Sequence, residues 1–340
     1  MLDPELEYVL GVLGYVVASH VMCRASIGKR SGAYEEPLTA DLRDIFELYD
    51  VCTPYLSNVG SSSQMRMSVH DLAKAAESRL GADFIIAMRG QDDDGAGSRR
   101  EVRKVVCVQA KRQDFSAKSL TYASSRNHVE KAKSMVRAVG IDNAYFAFYH
   151  SDSVIPSARQ VTWQRASHSR PQLFYLFPAR NPTNHLYLRN HPRLGHQTFL
   201  EVSGYRSVSL MRQGALDLPN YEWGVALLNA DYFVDSKGST VKNSTLPSVH
   251  HVLETGMHLP KFLLELAECR KAENLPDDPT FRSRVSAVLS LSTSGRQESL
   301  EFDPSFMVFL EFDSRHGQSR DDWRFIADDI SELVPQPPED

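Results

Sequence analysis

Two apolar runs separated by a polar tip dominate the hydrophobic pattern of the chain: Asp83-Phe84-Ile85-Ile86-Ala87-Met88 and the stretch from Val102 to Gln109, centred on Val105-Val106-Cys107-Val108. Continuous apolar runs of this length, rich in β-branched residues, predict strands covered on both faces. The intervening Gly-Gln-Asp-Asp-Asp-Gly-Ala-Gly-Ser predicts a turn, so the two runs read as a hairpin. A helical pattern follows over 124–139, with Val129, Ala132, Met135, Val136 and Val139 on one side and Gly140 as terminator. Asn143 to Tyr149 then predicts a third strand. Strand, helix and strand in that order require a crossover and a parallel neighbour.

The spacing predicts a helix over 4–23 and a second over 36–49, where Pro37 suits the first turn and Leu38, Leu42, Ile45, Phe46 and Tyr49 repeat at helical intervals. Ser57 to Gln64 reads as irregular. A third helix is expected from Ser68, with Ser68 as cap and Leu72, Ala75, Ala76 and Leu80 as its apolar stripe. Tyr221 to Val234, including Trp223-Gly224-Val225-Ala226-Leu227-Leu228, is expected to close the core. A helix follows from Val252 to Cys269, then strands at Val285–Leu291 and Phe306–Phe312 and a final helix over 320–333. The resulting fold class is α/β, a mixed sheet flanked by helices with an additional α+β region at the C-terminal end. Three parts are expected: an N-terminal helix packed on the core (1–30), a main domain (31–235) and a C-terminal region (236–340).

Composition narrows the function classes. A formal charge of -5 over 340 residues gives no global attraction to polyanions, so nucleic-acid binding needs a local basic patch. Arg99, Arg100, Arg103, Lys104, Lys111, Arg112 and Lys118 are candidates for one. Cys23, Cys52, Cys107 and Cys269 are scattered without a C-x-x-C pair, which suits reduced thiols and a cytoplasmic location. The apolar stretch 8–23 follows Asp3, Glu5 and Glu7 rather than a basic segment, so it reads as a buried helix and no membrane association is expected. No Gly-x-Ser-x-Gly elbow, Walker loop or dinucleotide glycine pattern is present. Two groups of histidines, His185/His191/His196 and His250/His251/His258, lack repeating metal-ligand spacing.

The candidate chemistry lies at the ends of the hairpin strands. Asp83 opens one and Gln109-Ala110-Lys111-Arg112 closes the other, so a carboxylate, an amide oxygen and an ammonium converge at one sheet edge. That combination suits a hard divalent cation and a phosphate. The pattern resembles the PD-(D/E)XK nuclease superfamily, in its Mrr-like Gln-x-Lys variant. A wider likeness, through Glu-Glu-Pro-Leu-Thr, Glu77, Tyr122 and Ala-Tyr-Phe-Ala-Phe-Tyr, extends to an uncharacterised bacterial family with the same core.

The resemblance implies a restriction-endonuclease-like fold and a Mg²⁺-dependent endonuclease, with Mn²⁺ able to substitute, acting on nucleic acid, DNA in preference to RNA, and possible antiviral defence. It assigns metal ligation to Asp83, the Gln109 side chain and the Ala110 carbonyl, and charge stabilisation to Lys111. Because glutamine brings no charge, a further carboxylate is expected from Glu77 or Glu36. Arg112, Lys118 and Tyr122 are the expected nucleic-acid contacts. A homodimer, and a second defence component bound through the C-terminal region, are the expected protein partners. The alternative is a catalytically inactive nuclease-fold protein that binds nucleic acid or a partner.

Overall fold

The hairpin stays paired well past its apolar centre. In a computed structural model, β2 (Phe84–Asp93) and β3 (Arg99–Arg112) pair antiparallel, with Phe84 opposite Val108. The register continues through Asp92 opposite Arg100 and Asp93 opposite Arg99, so the ladder extends into the segment expected to turn. The structure describes residues 10, 13–14, 17–18, 21, 25, 37–47, 64–72, 79–93, 99–114, 121–122, 127–151, 224–293 and 305–314.

A helix over 37–47 (α1) precedes β1 (Gln64–Asp71). After the hairpin, α2 (His128–Val139) buries His128, Ala132, Met135, Val136 and Val139 and stops at Gly140, whose φ of 87° places it in the left-handed region. The chain then enters β4 (Ala144–Tyr149), which runs parallel to β3 as the crossover requires, with Lys111 opposite Phe148. β5 (Val225–Asn229) pairs antiparallel with β4. The remaining elements are α3 (Val249–Thr255), β6 (Met257–His258), α4 (Leu259–Ala267), α5 (Asp278–Thr293) and β7 (Phe306–Ser314). Seven strands form one mixed sheet in the order β1-β7-β2-β3-β4-β5-β6, so the architecture is α/β.

Helices cover both faces. One face packs Phe84, Ile86, Val106, Val108 and Ala147 with the helical positions Leu10, Leu13 and Val17, with α1 and with α4. Gly14 permits the close approach there, since a Cβ would sit 2.6 Å from Pro260 Cα. The other face packs Ile85, Ala87, Cys107, Phe146 and Phe148 with α2, α3 and α5.

Two strands from beyond residue 235, β6 and β7, belong to this sheet. β7 lies between β1 and β2, parallel to β2 and antiparallel to β1. Phe306, Met307, Val308, Phe309 and Leu310 are all buried, and a strand apolar on both sides needs cover on both faces and neighbours on both edges.

Three local expectations are corrected. The helix expected from Ser68 does not start there, because Ser68 lies within β1; residues 79–80 are helical, and 73–78 lie outside the described residues. Met65 and Met67 are buried while Arg66 is exposed, a period of two that pairing with β7 enforces over the helix-like spacing downstream. The strand expected at Val285–Leu291 is instead part of α5. Asp277 accepts the Thr280 N–H at 2.7 Å to start it, and Phe281, Val285, Val288 and Leu289 then fall on one buried stripe. The helix expected over 252–269 is divided: α3 ends at its cap Gly256, β6 follows at Met257–His258, and Pro260 sits in the first turn of α4. The strand at Phe306–Phe312 lies within β7, while the final helix over 320–333 is outside the described residues.

At the far end of the hairpin from Asp83, Arg89 donates to Asp278 at 2.5 and 3.1 Å and lies 3.4 Å from Glu311. Arg103, cross-strand from Arg89, donates to Asp278 at 3.1 Å and to Glu101. The two guanidiniums are held together by the acids between them, which also fasten α5 and β7 to the hairpin. Burial raises the Asp278 pKa, but hydrogen bonds and charge from Arg89 and Arg103 outweigh it and hold the carboxyl below its ordinary value. The stability that Asp278 contributes is therefore present at neutral pH. It begins to be lost as pH falls past the ordinary carboxylate value and is gone below the depressed one.

Glu311 is fully buried, so Arg89→Met leaves its charge without the guanidinium and is expected to cost about 3 kcal/mol. The double variant Arg89→Met/Glu311→Leu should recover much of that loss. Urea denaturation of the three proteins checks both outcomes.

Candidate functional site

Asp83 sits where the chain enters the sheet, and the backbone before it dictates that position. Gly81 has φ of 71°, and a Cβ there would lie 2.5 Å from the Lys131 carbonyl oxygen of α2. Only glycine combines this backbone with so close a helix. The Asp83 N–H then donates to the Val108 carbonyl at 2.9 Å, which joins it to β3 one step beyond the Phe84–Val108 pair. Side chains alternate along a strand, so Asp83, Gln109 and Lys111 project to the face covered by α2 and α5.

The carboxylate is 8% exposed and well supplied with donors. Asp83 Oδ2 accepts from the Ala110 N–H at 2.6 Å and from Gln109 Nε2. The same Nε2 donates to the Ala110 carbonyl oxygen at 3.1 Å. Gln109 is fully buried, and its Oε1 has no hydrogen-bond partner. Lys111 is buried two residues further along the same face. The structure thus brings together Asp83, Gln109, Ala110 and Lys111, and it adds Ser305, placed beside Asp83 by the parallel pairing of β7 with β2. Sequence reasoning missed Ser305, because nothing local indicates which strand β7 joins.

The donors fit a hard cation in kind: a carboxylate, a backbone carbonyl and an amide oxygen without a partner. They are few in charge. Among the described residues there is no group of three or more His, Cys, Asp or Glu side chains able to hold a metal. Cys107 lies on the same face two residues before Gln109, but burial pushes its thiol up to about 12, so it offers no thiolate at neutral pH.

The other expected residues divide in two groups. Glu36, Glu77 and Lys118 lie outside the described residues, as do His185, His191 and His196. Arg112 is described, but strand alternation turns it to the face opposite Lys111. Tyr122 is built into the core as the partner of an isolated bridge to Gln113, with its ring centroid 4.4 Å from that of Phe148. Its hydroxyl meets His150 Nε2 at 2.5 Å, and burial raises its pKa. A ring so covered braces the end of β3 and has no open face for a base. Of the basic residues considered as a patch, Arg103 is engaged by Asp278 and Glu101. Lys104 is buried and donates to the Ala272 carbonyl at 2.7 Å.

No family model matches the chain, no curated protein matches its sequence and no solved structure matches its fold. Among the described residues, no helix is long and apolar enough to cross a membrane.

Gly81→Ala is expected to destabilise the protein by about 2 kcal/mol or more, since the added Cβ meets backbone in a conformation strained for alanine. A lowered thermal midpoint, with altered amide shifts for Asp83 and Lys131, would verify that this glycine sets the carboxylate's position.

Proposed function

We propose that the chain is a Mg²⁺-dependent nuclease of the PD-(D/E)XK type, hydrolysing phosphodiester bonds in DNA in preference to RNA, with a role in defence against foreign DNA. The observation that supports this reading is the buried convergence of Asp83, Gln109 and Lys111 on one face at the ends of adjacent strands, with the Ala110 backbone between them. The unpartnered Gln109 Oε1 adds to it, because a buried polar atom without a partner is costly unless something binds there.

Asp83, the Ala110 carbonyl and, once turned inward, Gln109 Oε1 would hold the ion. Bound Mg²⁺ supplies Lewis-acid polarisation of the phosphate and a more acidic water. The Lys111 ammonium would stabilise the negative charge that develops on the phosphoryl oxygens as water bonds to phosphorus and the bridging P–O bond breaks. Depth in the protein strengthens that interaction, because water does not screen it. A carboxylate from Glu77 or Glu36 would supply the second charge that glutamine omits.

The competing reading, a nuclease-like scaffold that binds nucleic acid or a partner without cutting, draws on the same site. Lys111 is 1% exposed and the site has one described carboxylate, a sparser arrangement than phosphoryl transfer usually employs.

Cleavage of plasmid DNA, single-stranded DNA and RNA with Mg²⁺ or Mn²⁺ separates the two. A nuclease should lose about a hundredfold or more of its rate in both Asp83→Ala and Lys111→Ala while keeping its fold. Equal inertness of wild type and variants on every substrate would favour the scaffold.

A further inference from the structure

Gln109 holds its site in a way that glutamate at that position would not. Its Nε2 donates to Asp83 Oδ2 and, at 3.1 Å, to the Ala110 carbonyl oxygen, while its Oε1 is buried without a hydrogen-bond partner. The donor end of the amide faces two oxygens and its acceptor end faces none of the surrounding donors. The opposite orientation would set three acceptors against one another with no proton between them, so the network itself fixes which end is nitrogen.

Those two oxygens are the ones a cation would use. The partial positive charge of the NH₂ group therefore occupies the electrostatic place of the ion, neutralising a carboxylate that would otherwise be buried with less compensation. The geometry points to a self-capped site, in which the Gln109 amide stands in for the divalent cation at rest and must turn over before the ion can enter. This inference rests on the cation reading above and adds a gate to it.

The motion is local. The terminal torsion of glutamine is broad and roughly two-fold, so a half-turn exchanges Nε2 for Oε1 without moving β3. Ion entry breaks the hydrogen bonds to Asp83 and Ala110 and gives the orphaned oxygen a partner. Resting protein is thereby stable without metal, and its affinity for the free ion is held down by the bonds that must be broken.

Calorimetric titration of the full chain with Mg²⁺, and separately Mn²⁺, tests this when wild type is compared with Gln109→Ala, Gln109→Glu and Asp83→Ala. Alanine removes a ligand and the plug together. A gate predicts that Gln109→Ala binds the ions as tightly as wild type or more tightly, and that Gln109→Glu binds them about tenfold to a hundredfold more tightly. Asp83→Ala should not bind. Side-chain amide NMR on ¹⁵N-labelled wild type gives a readout independent of these variants' folding and of catalysis. The NH₂ pair of Gln109, assigned in wild type by through-bond correlation to its own side-chain and backbone carbons, should exchange slowly with solvent in metal-free protein and should shift and exchange faster with Mg²⁺.

Binding weakened about tenfold or more in Gln109→Ala, or an NH₂ pair unmoved by Mg²⁺ that binds, would overturn the gate while leaving the cation site in place. Absence of ion binding by wild type and both Gln109 variants would overturn the gate and the cation reading together.

Discussion

A carboxylate sunk into the end of a β-sheet has to be matched by donors, and the Asp83 site is organised around that requirement. One oxygen of Asp83 takes the Ala110 N–H and the Gln109 amide, both delivered by the strand beside it. The pairing depends on a hairpin register that sets Phe84 against Val108, and a slip of one residue would turn Gln109 and Lys111 to the opposite face. Gly81 and α2 hold the entering chain from one side, and β7 holds it from the other through a 3.4 Å bond from the Phe306 N–H to the Asp83 carbonyl. Site and core are thus parts of one structure.

The two ends of the hairpin are chemically different. At one end, Arg89 and Arg103 are paired with Asp278, Glu101 and Glu311, and the pairs lock α5 and β7 in place. At the other, the charges are fewer, and the glutamine amide is left with an unmatched oxygen. A strand rise of about 3.3 Å per residue puts roughly 20 Å between Asp83 and Arg89, so the first network stabilises the frame on which the second is carried. Chemistry is better served where polar groups are incompletely satisfied than where they are spent on one another.

The parts legible in the sequence were those set by neighbours in sequence. The hairpin, the crossover helix ending at Gly140 and the strand at 144–149 all follow from local periodicity and turn residues. The convergence of Asp83 with Gln109 follows from the hairpin alone. What stayed hidden depends on distant pairing. β7 reaches β2 across more than two hundred residues of chain, so neither its place in the sheet nor Ser305 beside Asp83 has a local signal. β1 was obscured because Leu72, Ala75, Ala76 and Leu80 suggest a helix starting at Ser68, inside the strand that Met65 and Met67 mark by their period of two. Val285 to Leu291 is a short apolar run whose period fits a strand until Phe281 and the Asp277 cap extend it into a helix. Tyr122 shows the limit of reading residue type without burial: an aromatic suited to stacking is committed to Phe148 and His150.

Crystals soaked in Mn²⁺ and measured for anomalous scattering would locate an ion without reliance on turnover. A peak is expected within coordination reach of Asp83, the Ala110 carbonyl and Gln109 Oε1, with the amide turned from its resting orientation. An ordered Asp83–Gln109 hydrogen bond with no peak beside it, at a concentration that occupies other sites in the same crystal, would contradict the central claim.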